Sequence, residues 1–159
     1  MANSETTKRL LSALVLVPLS LLAVWLGGVP FELLLVIAGG LIAWELARLI
    51  FSEEQKLARH CLTITTLLVL LVHFFFHPFL TLLVLFIGIA GGLYLAIMRE
   101  GPRGWTGFAY LFCTLPVLGL YLIRADQNLG LQCVVWLFAS VWATDICAYF
   151  TGRHFGGPK

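Results

Sequence analysis

Long apolar runs, separated by short polar or glycine- and proline-containing breaks, occupy most of the chain. A helix that crosses a bilayer needs about 20 predominantly apolar residues to span about 30 Å of hydrocarbon. The pattern predicts six such helices, at residues 10–26, 31–50, 61–76, 78–98, 106–123 and 129–152. The third and fourth are divided at His77-Pro78, because proline disfavours helix at the residue before it. We therefore predict an all-α, polytopic transmembrane helix bundle that forms one unit over residues 1–159.

The composition excludes an ordinary soluble domain. Hydrophobic residues make up 60% of the chain and charged residues 11%, whereas soluble domains carry about 25% charged residues. A soluble fold of this size leaves about a third of its surface exposed and could not bury so much apolar area. The lipid bilayer is therefore the predicted solvent. The net charge of +2 is small and scattered, which argues against nucleic acid as a partner.

The distribution of basic residues predicts the orientation. If the N-terminus is cytoplasmic, nine of the ten Lys and Arg residues lie on that side and Arg124 lies alone on the other. The nine are Lys8, Arg9, Arg48, Lys56, Arg59, Arg99, Arg103, Arg153 and Lys159. Cytoplasmic loops of membrane proteins carry this excess of positive charge. We predict a multi-pass protein of the cell inner membrane with a cytoplasmic N-terminus.

Two of the predicted helices carry a row of small residues at every fourth position. The rows are Gly39, Ala43 and Ala47 in the second helix, and Gly88, Gly92 and Ala96 in the fourth. Small residues at this spacing let two helix backbones approach closely in a membrane. The alternative is the general abundance of Gly and Ala in membrane helices.

Asp145 is the strongest candidate for chemistry, because it interrupts an otherwise apolar helix. An Asp at the bilayer centre costs about 2.5–3.5 kcal/mol. Such a residue is expected to face the bundle interior or an aqueous pocket, where Tyr149 would lie one turn away. The alternative is a purely structural ion pair with Arg153 or Arg103.

Three weaker features have structural explanations. Glu45 lies three positions before Arg48, as in a surface ion pair worth about 0.2–0.5 kcal/mol. His73 and His77 have a spacing that could hold a metal, but an interfacial position is favoured, since no carboxylate or cysteine is near them in sequence. The glycine-rich residues 152–159 offer backbone N–H groups to phosphates, although a glycine exit from a helix has the same pattern.

The last predicted helix resembles a known family. Residues 141–156, Val-Trp-Ala-Thr-Asp-Ile-Cys-Ala-Tyr-Phe-Thr-Gly-Arg-His-Phe-Gly, are similar to the W-A-T-D-x-x-A-Y-x-x-G-R-x-x-G segment of phosphatidate cytidylyltransferases. Weaker similarities are Lys8-Arg9, Ala43-Trp44-Glu45 and Leu115-Pro116. The order and spacing of the four segments together carry the resemblance.

The resemblance implies a membrane enzyme that joins CTP and phosphatidic acid into CDP-diacylglycerol, releasing pyrophosphate with Mg²⁺. It implies that Asp145 takes part in catalysis and holds the metal, and that Arg153, Lys159 and Tyr149 bind substrate. Members of this family continue beyond the position of Lys159, and most of their acidic metal ligands lie in that later part. We therefore expect the bundle to be incomplete at its C-terminus and inactive by itself, with a missing C-terminal half or a homo-oligomer completing it.

Three other functions stay open. A CTP-dependent lipid kinase would also use CTP in a membrane, and only a synthase should carry a downstream His-Gly-Gly and Asp-Arg motif. A small transporter or channel subunit would use Asp145 as an ion or proton site. A non-catalytic scaffold would use it only for packing.

Overall fold

The computed structural model describes the backbone of residues 2–76, 78–98 and 103–156, and the side chains of 14–76, 79–98, 104–152 and 156. Within these ranges the chain forms six α-helices and one 3₁₀ turn, Glu53–Gln55, and no β-strand. The helices are α1 (Ala2–Leu26), α2 (Gly28–Ile50), α3 (Lys56–Phe75), α4 (Pro78–Met98), α5 (Arg103–Ala125) and α6 (Gly130–Phe155).

Each predicted span lies within one of these helices, apart from one residue at the end of the third span and one at the start of the sixth, and most of the helices extend further than predicted, α1 by eight residues at its start. Phe76 is the residue after α3 and Leu129 is the residue before α6. Among the described residues, five helices are long and apolar enough to cross a membrane: Gly28–Ile50, Glu53–Phe75, Phe79–Met98, Gly104–Ala125 and Gly130–Gly152. The apolar stretch described in α1, Leu14–Leu26, is shorter. The all-α, polytopic class is confirmed.

The chain divides into two compact units, which we describe separately. One contains residues 28–121, and the other contains residues 1–27 together with 122–159. The prediction that residues 1–159 form a single bundle stays a prediction.

In the unit of residues 28–121, α3 packs against both α2 and α4. The small residues form the contact surfaces, since all six members of the two rows are buried. A Cβ added to Gly39 would lie 2.5 Å from Cδ1 of Leu70 on α3, and one added to Gly92 would lie 2.6 Å from Cε2 of Tyr110 on α5. Both rows are therefore packing faces, as the spacing predicted.

Arg59 holds the connection between α2 and α3. Its Nε donates to the carbonyl of Phe51 at 2.9 Å, and its Nη1 donates to Oε1 of Glu53 at 2.8 Å. Phe51 is itself buried. The connection is thus fixed by a hydrophobic anchor and by an arginine whose charge is satisfied within the loop.

In the unit of residues 1–27 and 122–159, α1 packs on α6. The last carbonyls of a helix have no partner within it, and Arg124 supplies one. Its Nε donates to the carbonyl of Val24 at 2.8 Å and its Nη2 to that of Trp25 at 3.3 Å. Gly27, at φ +66°, leaves room for this guanidinium, because an added Cβ would lie 2.7 Å from Nη2.

The turn before α6 is held by Asp126. Its Oδ1 accepts hydrogen bonds from the backbone N–H groups of Asn128 at 2.9 Å and Leu129 at 2.8 Å. These bonds, that of Leu129 first, hold the pKa of the Asp126 carboxyl below its ordinary value of 3.8.

The contact of Gly92 with Tyr110 makes a stability prediction. Gly92→Ala should destabilise the unit by about 1–3 kcal/mol, because the added methyl group overlaps the buried Tyr110 ring. Gly91→Ala is the matched control, since nothing lies within 4 Å of a Cβ there, and it should be neutral or slightly stabilising. Thermal unfolding in detergent measures both, and equal melting temperatures for the two variants would contradict the packing.

Asp126 predicts a pH dependence. Because its folded pKa is lowered, the ionised carboxylate stabilises the fold above pH about 4, and that contribution is lost as the pH falls through the folded pKa. Asp126→Asn keeps an oxygen acceptor but has no charge to titrate. Melting temperatures measured between pH ~6 and ~2 should fall more steeply for the unchanged chain than for this variant. Parallel curves would show that the turn does not depend on the charge.

Candidate functional site

Asp145 lies on α6, and its side chain is exposed. Within its own unit α6 packs on α1, and only 6% of its most apolar stretch is buried, against 28–33% in the other four spanning helices. Val141 and Tyr149, one turn to either side of Asp145, are also exposed. The described residues of this unit therefore do not enclose the carboxylate in the packed hollow that we expected.

The hydroxyl groups near Asp145 bond within the helix. Ser140 Oγ donates to the carbonyl of Trp136 at 2.8 Å, Thr144 Oγ1 to that of Ser140 at 2.8 Å, and Thr151 Oγ1 to that of Cys147 at 2.7 Å. Such bonds to the carbonyl four residues earlier satisfy a hydroxyl locally. Asp145 differs, because its carboxylate has no hydrogen bond or ion pair with any residue whose side chain the structure describes. It is thus available to a ligand.

The other predicted site residues are placed only in part. Tyr149 lies one turn beyond Asp145, with its ring 5.7 Å from that of Phe150. The backbone of Arg153 lies in α6, eight positions or about 12 Å beyond Asp145 along the axis. The side chains of Arg153 and Arg103 lie outside the described residues, as does the whole of Lys159. The ion-pair alternative for Asp145 is therefore untested.

Asp145 suits one position in a magnesium site. Mg²⁺ is usually held by one or two carboxylates, several waters and substrate phosphates, and Asp145 provides one carboxylate that is not bonded to any described side chain. The residues that the structure describes contain no group of three or more His, Cys, Asp or Glu that could hold a metal. Any further protein ligands must come from elsewhere.

Two weaker predictions concerned an ion pair between Glu45 and Arg48 and the two histidines before α4. Glu45 and Arg48 are both exposed, as predicted, but no ion pair joins them, so that part of the prediction was wrong. The pair is worth too little to hold two exposed side chains in one geometry. His73 contacts the ring of Tyr121 at 5.2 Å, and its Nδ1 lies 3.4 Å from Oγ1 of Thr81. These contacts are packing within the protein, so the interfacial position of His73 stays a prediction, and His77 lies outside the described residues.

An apolar crevice of about 440 Å³ in the unit of residues 28–121 was not predicted from the sequence. It lies between the end of α2 and the start of α5 and is lined by Leu46, Leu49, Ile50, Trp105 and Phe108. No predicted site residue lines it. Its walls come from segments more than fifty residues apart, so no local periodicity could have indicated it.

Comparison with known proteins extends the resemblance beyond the last helix. The sequence profile of the cytidylyltransferase family matches residues 7–159. The chain belongs to the cytidylyltransferase family. Similar relatives include the phosphatidate cytidylyltransferases of Brucella suis biovar 1 (strain 1330) and Brucella abortus biovar 1 (strain 9-941). Each is 34% identical over 163 aligned positions.

The alignments cover 100% of this chain but 58% of each relative. This cytidylyltransferase chain thus spans less than two thirds of the length of the curated relatives that it matches. No solved structure matches it. The match includes both compact units, so the weaker similarities at the N-terminus and in the second and fifth helices belong to the same relationship as the motif around Asp145.

Thiol accessibility tests the exposure of α6. Cys147, two positions from Asp145, and Cys133 are exposed, whereas Cys113 on α5 is fully buried. A small membrane-permeant thiol reagent should modify the two α6 cysteines well before Cys113, as followed by peptide mass spectrometry of the detergent-solubilised chain. The chain unfolded in denaturant is the control, in which all thiols should react. Protection of Cys147 comparable to that of Cys113 would show that α6 is covered.

Proposed function

We propose that this chain forms the N-terminal part of an enzyme that transfers CMP from CTP to phosphatidic acid. The products are CDP-diacylglycerol, a precursor in phospholipid biosynthesis, and pyrophosphate. The observation that carries the proposal is the carboxylate of Asp145, which lies in an apolar helix within the segment that most resembles the family and is bonded to none of the side chains that the structure describes. The names of the relatives support nucleotidyl transfer over lipid phosphorylation. The activity is proposed for the whole protein.

The reaction requires charge neutralisation more than covalent help. An oxygen of the phosphatidic acid phosphate attacks the α-phosphorus of CTP, a new P–O–P bond forms, and the bond between the α- and β-phosphates breaks to release pyrophosphate. All the participants are anionic, so positioning and electrostatic stabilisation dominate catalysis. When bound, Mg²⁺ would neutralise phosphate charge and orient the leaving group.

Each predicted site residue has a role in this scheme. Asp145 would hold the metal. Arg153 and Lys159 would contact phosphates, where a cation makes strong charge-assisted hydrogen bonds. Tyr149, one turn from Asp145, would orient a substrate through its hydroxyl group. The remaining metal ligands would come from the part of the protein that corresponds to the rest of its relatives, or from a second copy.

The predicted orientation of the chain would put the four proposed site residues on the cytoplasmic side of the membrane. With a cytoplasmic N-terminus, Asp145 lies in the cytoplasmic half of α6, ten residues before the helix ends at Phe155, and Arg153 and Lys159 follow it in the sequence toward that side. CTP is a cytoplasmic nucleotide, and phosphatidic acid lies in the bilayer, so both substrates could reach this end of the helix. The proposed location is the cell inner membrane, with the active side cytoplasmic.

The test is an assay of CMP transfer from labelled CTP to phosphatidic acid in membranes that contain the chain extended to the full length of its relatives. Asp145→Asn should lower the rate by about 10²-fold or more, because it removes a charged group that organises the metal. Asp126→Asn is the matched control, since that carboxylate holds a turn and has no place in the proposed site. It should keep nearly full activity at neutral pH.

The assay distinguishes an error in the role of Asp145 from an error in the proposed reaction. Full activity of the Asp145→Asn variant would contradict the role of that residue while leaving the family activity intact. No transfer by the unchanged extended protein, with phosphorylation of a lipid instead, would replace the synthase by the lipid kinase.

A further inference from the structure

Trp44 and His60 form a contact that the proposed reaction does not use. Their ring centroids are 5.9 Å apart with an interplanar angle of 37°, which brings one face of α2 against one face of α3. Trp44 belongs to the Ala43-Trp44-Glu45 segment that resembles the family. Both side chains are exposed, so the pair lies on the surface of the unit of residues 28–121.

Two cations project from the same faces. Arg48 lies four positions after Trp44, one turn and about 6 Å nearer the end of α2 at Ile50. Lys56 lies four positions before His60, at the start of α3. Residues four apart on a helix share one face. The contact between Trp44 and His60 therefore places Arg48 and Lys56 on adjacent faces at the same end of the helix pair.

The three cations near the connection between α2 and α3 differ in their bonding partners. Arg59 is bonded to Glu53 and to the carbonyl of Phe51, and its side chain is only 15% exposed. Lys56 lies 4.0 Å from the same Glu53, a weak contact between exposed groups. Arg48 has no hydrogen bond or ion pair with any residue whose side chain the structure describes. Its charge acts on Glu53 only through space, so its guanidinium N–H groups are not used by any described side chain.

We propose that Trp44, Arg48 and His60 form a binding site for the phosphate headgroup of an anionic phospholipid. Trp favours the boundary between headgroups and acyl chains, where its ring is apolar and its indole N–H meets polar groups. Arginine at the end of a spanning helix extends to the headgroup layer and pairs well with phosphate oxygens. His60 offers a ring nitrogen beside the indole. The site lies on α2 and α3 and does not depend on Asp145 or on CMP transfer.

Another tryptophan in the chain provides an internal control. Trp25 is an exposed residue near the end of α1, and Arg124 is its neighbouring cation. Arg124 donates to the carbonyls of Val24 and Trp25, so two of its nitrogens are already bonded within the protein. Trp25 thus lies beside an arginine that is held by helix-end carbonyls, whereas Arg48, one turn from Trp44, donates to none of the described side chains.

Fluorescence quenching by brominated lipids tests the site. The chain is reconstituted into phosphatidylcholine bilayers that contain either brominated phosphatidic acid or brominated phosphatidylcholine. The signal of Trp44 is the difference between the unchanged chain and Trp44→Phe, and that of Trp25 is the difference from Trp25→Phe. Trp44 should prefer phosphatidic acid by about two- to five-fold, the range expected of an exposed ion pair. Trp25 should show no preference.

Substitutions of Arg48 test whether its charge causes the lipid preference at Trp44. Arg48→Gln should abolish the preference of Trp44, while Arg48→Lys should keep most of it because the charge remains. An equal preference at Trp44 and Trp25, or one unchanged in Arg48→Gln, would overturn the proposal. Loss of the preference on adding CTP to the bilayers would assign the site to nucleotide phosphates and overturn the lipid assignment. The measurement has no activity readout, so its failure is distinct from a failure of the proposed reaction.

Discussion

Close approach of helix backbones at small residues holds the unit of residues 28–121 together. Lipid tails are as apolar as the side chains of the helices, so burial of apolar surface from water cannot drive helices together within the bilayer. Dispersion contacts must do so, and they require surfaces that fit. Gly39 admits Leu70 and Gly92 admits the ring of Tyr110. The alignment of α3 with α2, and hence the contact of Trp44 with His60, depends on that fit.

The helix α6 carries polar side chains within an apolar span. Its serine and threonine hydroxyl groups, those of Ser140, Thr144 and Thr151, are bonded to its own backbone, so they add little polarity to its surface. Asp145 cannot bond to the helix carbonyls in this way, because an ionised carboxylate accepts hydrogen bonds and cannot donate them. A cost of about 2.5–3.5 kcal/mol at the bilayer centre needs compensation from a cation, a metal or water. This requirement, together with the family relationship, makes Asp145 a better candidate for function than for packing.

The helices and their packing faces were predictable from the sequence because each depends on local spacing. Run length gave the six helices, and the four-residue period of Gly39, Ala43 and Ala47 gave a buried face. Contacts between distant segments were not predictable in this way. Arg124 bonds to Val24 across 100 positions of the chain, and nothing near either residue indicates the partner. The predicted ion pair between Glu45 and Arg48 was wrong for a different reason. The two residues have a suitable local spacing, but an ion pair would not offset the conformational entropy that two exposed side chains lose.

The candidate site was predictable in identity but not in arrangement. An Asp in an apolar helix is conspicuous by composition alone, and the resemblance around it adds Tyr149 and Arg153 in order. A metal site, however, needs ligands that the fold brings together from several segments, and the described residues supply only one of them at α6. The arginines show the same distinction. Arg59 donates to a loop carbonyl and to the Glu53 carboxylate, and Arg124 donates to two helix-end carbonyls. Arg48 donates to none of the described side chains, and only the three-dimensional contacts separate these cases. A count of positive charges predicts which side of the membrane a loop occupies, but the fold determines which of those charges can still bind a phosphate.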